Sequence, residues 1–298
     1  MIFEFAEKYG FIPHRRRGKR GFKPHLSLRF RSTILHVDSY AGEGYNLISH
    51  AHSDHYGHCN IRNRSAIASI ETAKILEAVT GKKFVGKTFM IGETLKLDLL
   101  KIKTYPTQHM DGASAFLIKE RSRVLVTGDV KDYKHLPKCD VLVTEATYGQ
   151  PDYVFEDEID RLLQEAQNST FGVYPIGKAQ RVARILIKNG FSVKAESKIR
   201  KVCAQLGIEV KGDGVELVPT RDIWKKSGRK FVLTAQKFYR IPRITISDHL
   251  DYEGIIRMVE HCNPEHVIFY HGNPTKELLE DLRGLGYSVS TLKDLDAL

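Results

Sequence analysis

The first 150 residues alternate apolar and polar positions over short stretches separated by turns, which predicts strands. Residues 26–31, 33–37 and 45–49 show this pattern, and Gly42-Glu43-Gly44 supplies a turn before the last of them. Residues 70–80 have helical spacing, with Gly81 placed to end the helix. Residues 94–105 set Leu95, Leu97, Leu99 and Ile102 against charged neighbours, which predicts one half-buried strand. Residues 114–119 and 123–127 predict a further pair, and 141–144 a short buried strand. So many strands with so few helices predict sheet packed on sheet, flanked by helices.

After Gln150-Pro151 the pattern changes to helix alternating with strand. Helices are predicted over 156–167, 180–189 (ended by Gly190) and 197–206, and strands over 172–174, 192–195 and 215–218. This α/β stretch ends near Arg243. The remaining segment predicts helices over 251–262 and 275–285, and strands over 266–270 and 288–291.

Composition narrows the class. Of 298 residues, 42% are hydrophobic and 28% charged, ample for a globular core. No apolar run approaches the roughly 18 residues of a membrane span, so no membrane association is expected. Glu4, Glu7 and Lys8 interrupt what would have to be the apolar core of a secretory signal. Cys59, Cys139, Cys203 and Cys262 lie far apart without a CxxC pair, which argues against a disulfide framework and fits a reducing cytoplasm.

The net charge of +10 favours polyanionic partners. Residues 14–23 carry six positive charges and no acid. Residues 224–243 carry seven positive charges and no acid, interleaved with Trp224, Phe231, Phe238 and Tyr239. Cations beside aromatics suit single-stranded nucleic acid, the former holding phosphates and the latter stacking on bases. The competing reading is strands with a basic outer face and core-facing aromatics.

The densest chemical signal is His50-Ala-His52-Ser-Asp54-His55, at the C-terminal end of a predicted strand. Extended alternation would send His50, His52 and Asp54 one way and His55 the other. Three imidazoles and a carboxylate within six residues point to metal, because imidazole is the usual zinc ligand and a carboxylate completes or bridges sites.

This HxHxDH run resembles the signature of the metallo-β-lactamase superfamily. Thr107-Gln-His109-Met-Asp-Gly112-Ala113 resembles that family's second ligand loop, and Leu125-Val-Thr-Gly128-Asp129 the strand that ends in a bridging aspartate. Four later segments resemble motifs of the β-CASP nuclease branch, which includes Artemis-type nucleases. They are Cys139 to Gly149 around Glu145, Tyr174 to Arg181 around Gly177-Lys178, Ser247-Asp248-His249 with Asp251-Tyr252, and Phe269-Tyr-His271-Gly272. The ligase-associated DNA exonucleases, also labelled archaeal mRNA 3′-end processing factors, are the most similar group.

The resemblance implies an α/β (α+β) fold: a four-layer αββα sandwich of residues 1–150 and 244–298, with residues 151–243 as a small inserted α/β lobe. The active site would lie in the cleft between the two. It implies two divalent metal ions, zinc expected, with manganese or magnesium as alternatives. His50, His52, His109 and Asp129 would hold one ion; Asp54, His55, Asp129 and His271 would hold the other. Asp54 is also counted among the catalytic groups, with His249 as the acid for the leaving oxygen and Glu145 orienting it. Gly177, Lys178, Arg181 and Ser247 are the candidate phosphate contacts. The implied activity is phosphodiester hydrolysis, on single-stranded DNA ends in repair or alternatively on RNA. DNA-ligase or other repair proteins would be the partners. An inert nucleic-acid-binding relative is disfavoured because every ligand type is present. A small-substrate thioesterase or lactamase is disfavoured by the basic, aromatic-dotted stretches.

Overall fold

The computed structural model describes residues 2–18, 21–22 and 25–295; Lys19, Arg20 and Lys23 of the N-terminal basic run lie outside the described residues. The chain divides into two compact units: residues 1–73, 82–154 and 249–298, and residues 74–81 with 155–248.

The first unit contains two large sheets and a two-stranded ribbon of Arg17–Gly18 with Gly21–Phe22. One has six strands, in the order Ile12–His14, Leu26–Phe30, Thr33–Val37, Tyr45–Leu47, Ala66–Ser69 and Lys87–Phe89. The other has seven: Ser288–Thr291, His266–Gly272, Val141–Ala146, Arg123–Val126, Ser114–Lys119, Leu100–Pro106 and Thr94–Leu97. Period-two alternation builds the layers. Phe116, Ile118, Val124, Val126, Val141, Val143, Ile268 and Tyr270 share one core with Leu28, Leu35, Val37 and Leu47 of the six-stranded sheet. The intervening Leu117, Leu125, Leu142, Val267 and Phe269 face the other way. They pack against Ile255, Met258 and Val259 of the helix Tyr252–Cys262, and Leu278 and Leu282 of the helix Lys276–Gly284. The expected sheet-on-sheet sandwich with outer helices is therefore present.

The second unit has a five-stranded parallel sheet, in the order Val193–Ala195, Val215–Pro219, Ser169–Val173, Arg229–Leu233 and Arg243–Ile244. Its three central strands each end in a buried apolar run, Leu217–Pro219, Phe171–Val173 and Phe231–Leu233, as strands covered on both faces do. Phe171, Leu217 and Leu233 pack with Val182, Ala183 and Leu186 of the helix Lys178–Lys188 and Ile199 of the helix Ser197–Gln205.

Some expectations need correction. Residues 94–105 form two antiparallel strands, because Asp98 adopts a left-handed φ of 52° and turns the chain between Leu97 and Leu100. The first helix of the second unit spans only Ile159–Gln164, and the strand expected at 172–174 lies at Ser169–Val173. The aromatics of the 224–243 run divide between the two readings. Phe231 is buried in the core and Tyr239 packs half-buried on the cluster of Val218, Ile223, Val232 and Ile241. Trp224 and Phe238 project outward, 56% and 72% exposed. All four cysteines are free, Cys59 exposed and the others buried.

Candidate metal centre

The histidine run leaves the strand Tyr45–Leu47 and turns back on itself. The amides of His55 and Tyr56 both donate to the His52 carbonyl, at 3.0 and 3.2 Å. This turn overrides the expected alternation and brings the His55 ring to 4.0 Å from that of His50, centroid to centroid.

Two glycines allow the other loops to close on it. Gly112 (φ 80°) lies so near Ser69 and Thr72 that a Cβ would come within 2.6 Å of both, and its carbonyl accepts from their hydroxyls at 2.7 and 3.0 Å. That pins the loop carrying His109. Gly128 (φ 65°) sits where a Cβ would lie 2.6 Å from Ser49, which lets Asp129 approach the histidine run. Glu145 and His271 come from adjacent parallel strands whose register shifts between Thr144 and Glu145, setting the two side by side. His249 precedes the helix Tyr252–Cys262, anchored by the Leu250 amide donating to the Val130 carbonyl at 2.8 Å.

The resulting side chains converge. His52 Nδ1 lies 3.1 Å from His50 Nε2 and 3.2 Å from His109 Nε2. Asp129 Oδ2 lies 3.4, 3.5 and 3.6 Å from Nε2 of His50, His55 and His109 respectively. Nitrogens bound tetrahedrally to one zinc at its usual bond length stand about 3.3–3.4 Å apart. Asp54, its side chain 58% exposed, places Oδ2 3.8 Å from His55 Nε2 and 3.7 Å from His271 Nε2. His50, His52, His109 and Asp129 thus form one group of donors, and His55 and His271 form a second with His25, with Asp54 at its exposed edge. His55 Nε2 and Asp129 Oδ1 are buried without a hydrogen-bond partner. Orphaned lone pairs of this kind, within a donor set of imidazoles and carboxylates, fit divalent cations.

Hydrogen bonds orient the ligands. Asp38, fully buried, accepts at Oδ1 from the Ser49 amide (2.7 Å), and at Oδ2 from Ser49 Oγ (2.7 Å), Tyr270 Oη (2.8 Å) and His55 Nδ1 (2.9 Å). Because the Ser49 hydroxyl is spent on Asp38, its oxygen accepts from His50 Nδ1 at 2.8 Å. Both rings therefore turn Nε2 inward, the nitrogen that a cation would take in place of a proton, which is the usual support of a metal-binding histidine.

Electrostatics follows from the same packing. Burial disfavours charge on His55, yet Asp129 and Asp38 outweigh it and hold the imidazole up to about 10. Burial pushes the Asp129 carboxyl up to about 7; His55 opposes this and Glu145 reinforces it. His50 is driven well below the ordinary histidine range by burial and then by its histidine neighbours. The carboxylates thus favour positive charge at the His55 position, where a proton and a metal cation would compete.

His249 Nδ1 meets Glu145 Oε1 at 2.9 Å, and the His249 and His109 rings lie 4.6 Å apart. Glu145 also accepts from the amides of Val130 (3.2 Å) and Thr147 (2.8 Å). Despite burial, His249 and these hydrogen bonds draw its carboxyl down to about 2. Beside the cluster, Arg15, His25, Asp54, His58 and His271 line part of an open cavity of about 590 Å³.

The four candidate phosphate contacts lie in the second unit. The Gly177 amide donates to Gln180 Oε1 (2.7 Å), and Lys178 Nζ lies 3.4 Å from the Leu233 carbonyl. Arg181 is ion-paired with Asp157 and with Asp248 (3.0 Å) and donates to the Ser247 carbonyl (2.8 Å). Ser247 is buried, its amide donating to Asp157 Oδ1 at 2.8 Å.

Sequence reasoning missed Asp38 and His25. Asp38 ends the strand Thr33–Val37, parallel to Tyr45–Leu47, and a carboxylate at that edge is a signal available in the sequence. His25 carries no local motif; only the folded chain brings it to His271, with 3.2 Å between His25 Nε2 and His271 Nδ1.

No family model matches the chain. It is 24% identical over 298 aligned positions to a probable DNA ligase of Opitutus terrae, covering 84% of this chain and 29% of that protein. It is 24% identical over 188 positions to RNase aCSPSF2 of Saccharolobus solfataricus, covering 49% of this chain and 38% of that one. The chain therefore spans less than two fifths of either relative. A crystal structure of a protein of unknown function from Enterococcus faecalis V583 superposes with a TM-score of 0.61 at 14% identity, over 93% of this chain and 96% of that one. That likeness shows a shared fold. Among the described residues no helix is long and apolar enough to cross a membrane.

Proposed function

We propose that the chain is a dinuclear-metal-dependent nuclease of the metallo-β-lactamase and β-CASP type, hydrolysing phosphodiester bonds of single-stranded nucleic acid. The observation that carries this reading is Asp129 Oδ2, which stands within 3.4–3.6 Å of Nε2 of His50, His55 and His109 and so joins two groups of donors. One carboxylate between two sets of imidazoles suits two cations a few ångströms apart. His50, His52, His109 and Asp129 would hold one; Asp54, His55, Asp129 and His271 would hold the other. Such a pair, zinc by the donor chemistry, would activate water for attack near neutral pH and offset negative charge on the phosphate.

The remaining steps belong to the protein. Glu145, an anion, accepts from His249 Nδ1 and fixes the ring so that Nε2 can carry a proton to the leaving oxygen. Exposed Trp224 and Phe238, projecting from segments that pack on one small apolar cluster, present faces for bases, with Lys225, Lys226, Lys237 and Arg240 as neighbours in sequence.

DNA is the substrate we favour, since the relative matched over most of this chain is named a probable DNA ligase. The match to RNase aCSPSF2 supports RNA as the alternative. A time course on 5′- and 3′-labelled single-stranded DNA and RNA, with Zn²⁺, Mn²⁺ or Mg²⁺, decides the substrate and the direction. Metal-dependent cleavage of one polymer is expected. Cleavage of neither, by protein holding two ions, defeats the nuclease reading.

A further inference from the structure

We propose that His25 is a positioning residue for one half of the metal centre, holding His271 in the tautomer that turns Nε2 towards Asp54. This rests on the metal-binding reading above. His25 is buried and adopts a left-handed φ of 64°, uncommon for a residue with a side chain, so its surroundings hold it there. Its Nδ1 contacts the main-chain carbonyl of Asp38, and its Nε2 lies 3.2 Å from His271 Nδ1, with the rings nearly perpendicular at 74°.

The hydrogens follow by elimination. A carbonyl can only accept, so His25 Nδ1 carries the proton and donates it. Neutral His25 then has only a lone pair at Nε2, and the contact with His271 requires His271 Nδ1 to donate. A neutral His271 consequently has its lone pair on Nε2, the atom 3.7 Å from Asp54 Oδ2. The relay runs from the Asp38 carbonyl through His25 and His271 to the position of the cation. The same residue orients His55 directly through its carboxylate, at 2.9 Å from His55 Nδ1. Asp38 therefore orients two members of one ligand group, one by its side chain and one by its main chain through an interposed ring. His50, His52 and His109 do not depend on this relay, so its loss should be felt by one ion of the two.

The test is a zinc titration of the metal-free full chain by calorimetry, with tautomers read from long-range ¹H–¹⁵N correlation spectra of the imidazoles. Native protein should bind two ions, and His271 should show the Nδ1–H tautomer. His25→Ala should weaken one binding step by about 10–100-fold, leave the other unchanged, and release the tautomer of His271. His25→Gln, whose amide oxygen can accept from His271 Nδ1, should recover most of the loss and keep the tautomer. Binding by His25→Ala indistinguishable from native overturns the inference alone. So does a Gln variant no better than Ala, which would make His25 a ligand or a packing residue. Native protein that binds fewer than two ions overturns the metal-centre reading and this inference together.

Discussion

His249 and Glu145, 104 positions apart in sequence, meet at 2.9 Å through Nδ1 and Oε1. The pairing leaves Nε2 as the reactive nitrogen and gives it a fixed direction. If that nitrogen protonates the leaving oxygen, His249→Ala should keep its metal yet lose about 10²–10⁴ in turnover of an ordinary phosphodiester. A nitrophenyl phosphodiester, whose leaving group needs no proton, should be hydrolysed almost as fast as by native protein. Glu145→Gln should show a weaker version of the same split. Loss of metal from His249→Ala, or equal slowing of both substrates, would assign His249 to the ligands.

If Asp129 serves both proposed ions, its removal should differ in kind from removal of a one-sided ligand. Asp129→Ala should lower bound metal towards none, whereas His52→Ala should retain one ion. Metal analysis after dialysis reads this directly, and an Asp129 variant that keeps two ions contradicts the shared-oxygen geometry.

Metal loading should fall with acidity. Burial opposes charge on His55, but Asp129 and Asp38 hold it up to about 10, and burial lifts Asp129 to about 7. Ligands must give up their protons to bind, so affinity should rise with pH across the neutral range and binding should release protons. Calorimetry in buffers of different ionisation enthalpy counts them. Affinity independent of pH would mean the cation binds elsewhere.

Trp224 and Phe238 should act on binding alone. Replacing either with alanine should weaken single-strand affinity by about 1–3 kcal/mol, the range for one stacked base. Hydrolysis of a small phosphodiester should not change. Fluorescence anisotropy with a labelled oligonucleotide tests the first, and unaltered affinity in the double variant would return the run to an ordinary basic surface.

Away from the centre, His266 predicts an acid limb of stability. Burial, then Lys8, lowers its imidazole to about 4, so the folded state resists a proton that the unfolded chain accepts at the ordinary 6.5. Stability is complete above that ordinary value, declines as pH falls through it, and levels off below about 4. The loss is at most about 3 kcal/mol at 1.36 kcal/mol per unit. Denaturant midpoints should therefore move less over this range in His266→Gln, whose amide can replace the contact to Ser290 Oγ.

The sandwich was legible because its strands alternate with period two, and the candidate donor cluster because HxHxDH concentrates unlike donors in six residues. Local pattern could not show the turn at His52, which depends on main-chain hydrogen bonds that the alternation rule ignores. Nor could it separate Phe231 from Phe238, since both sit in one basic run and only the course of the strand Arg229–Leu233 buries the first. His25 was invisible for a stricter reason: its partner lies 246 positions away.

The strand Val141–Ala146 pairs in parallel with His266–Gly272, and residues 155–248 of the second unit lie between them in sequence. A chain growing on the ribosome carries the histidine run, His109, Asp129 and Glu145 long before His249 and His271 exist. Until the later strand arrives, the earlier one is an open sheet edge and Glu145 has no imidazole beside it. Synthesis thus sets a delay, and the centre waits for elements translated after residues 155–248.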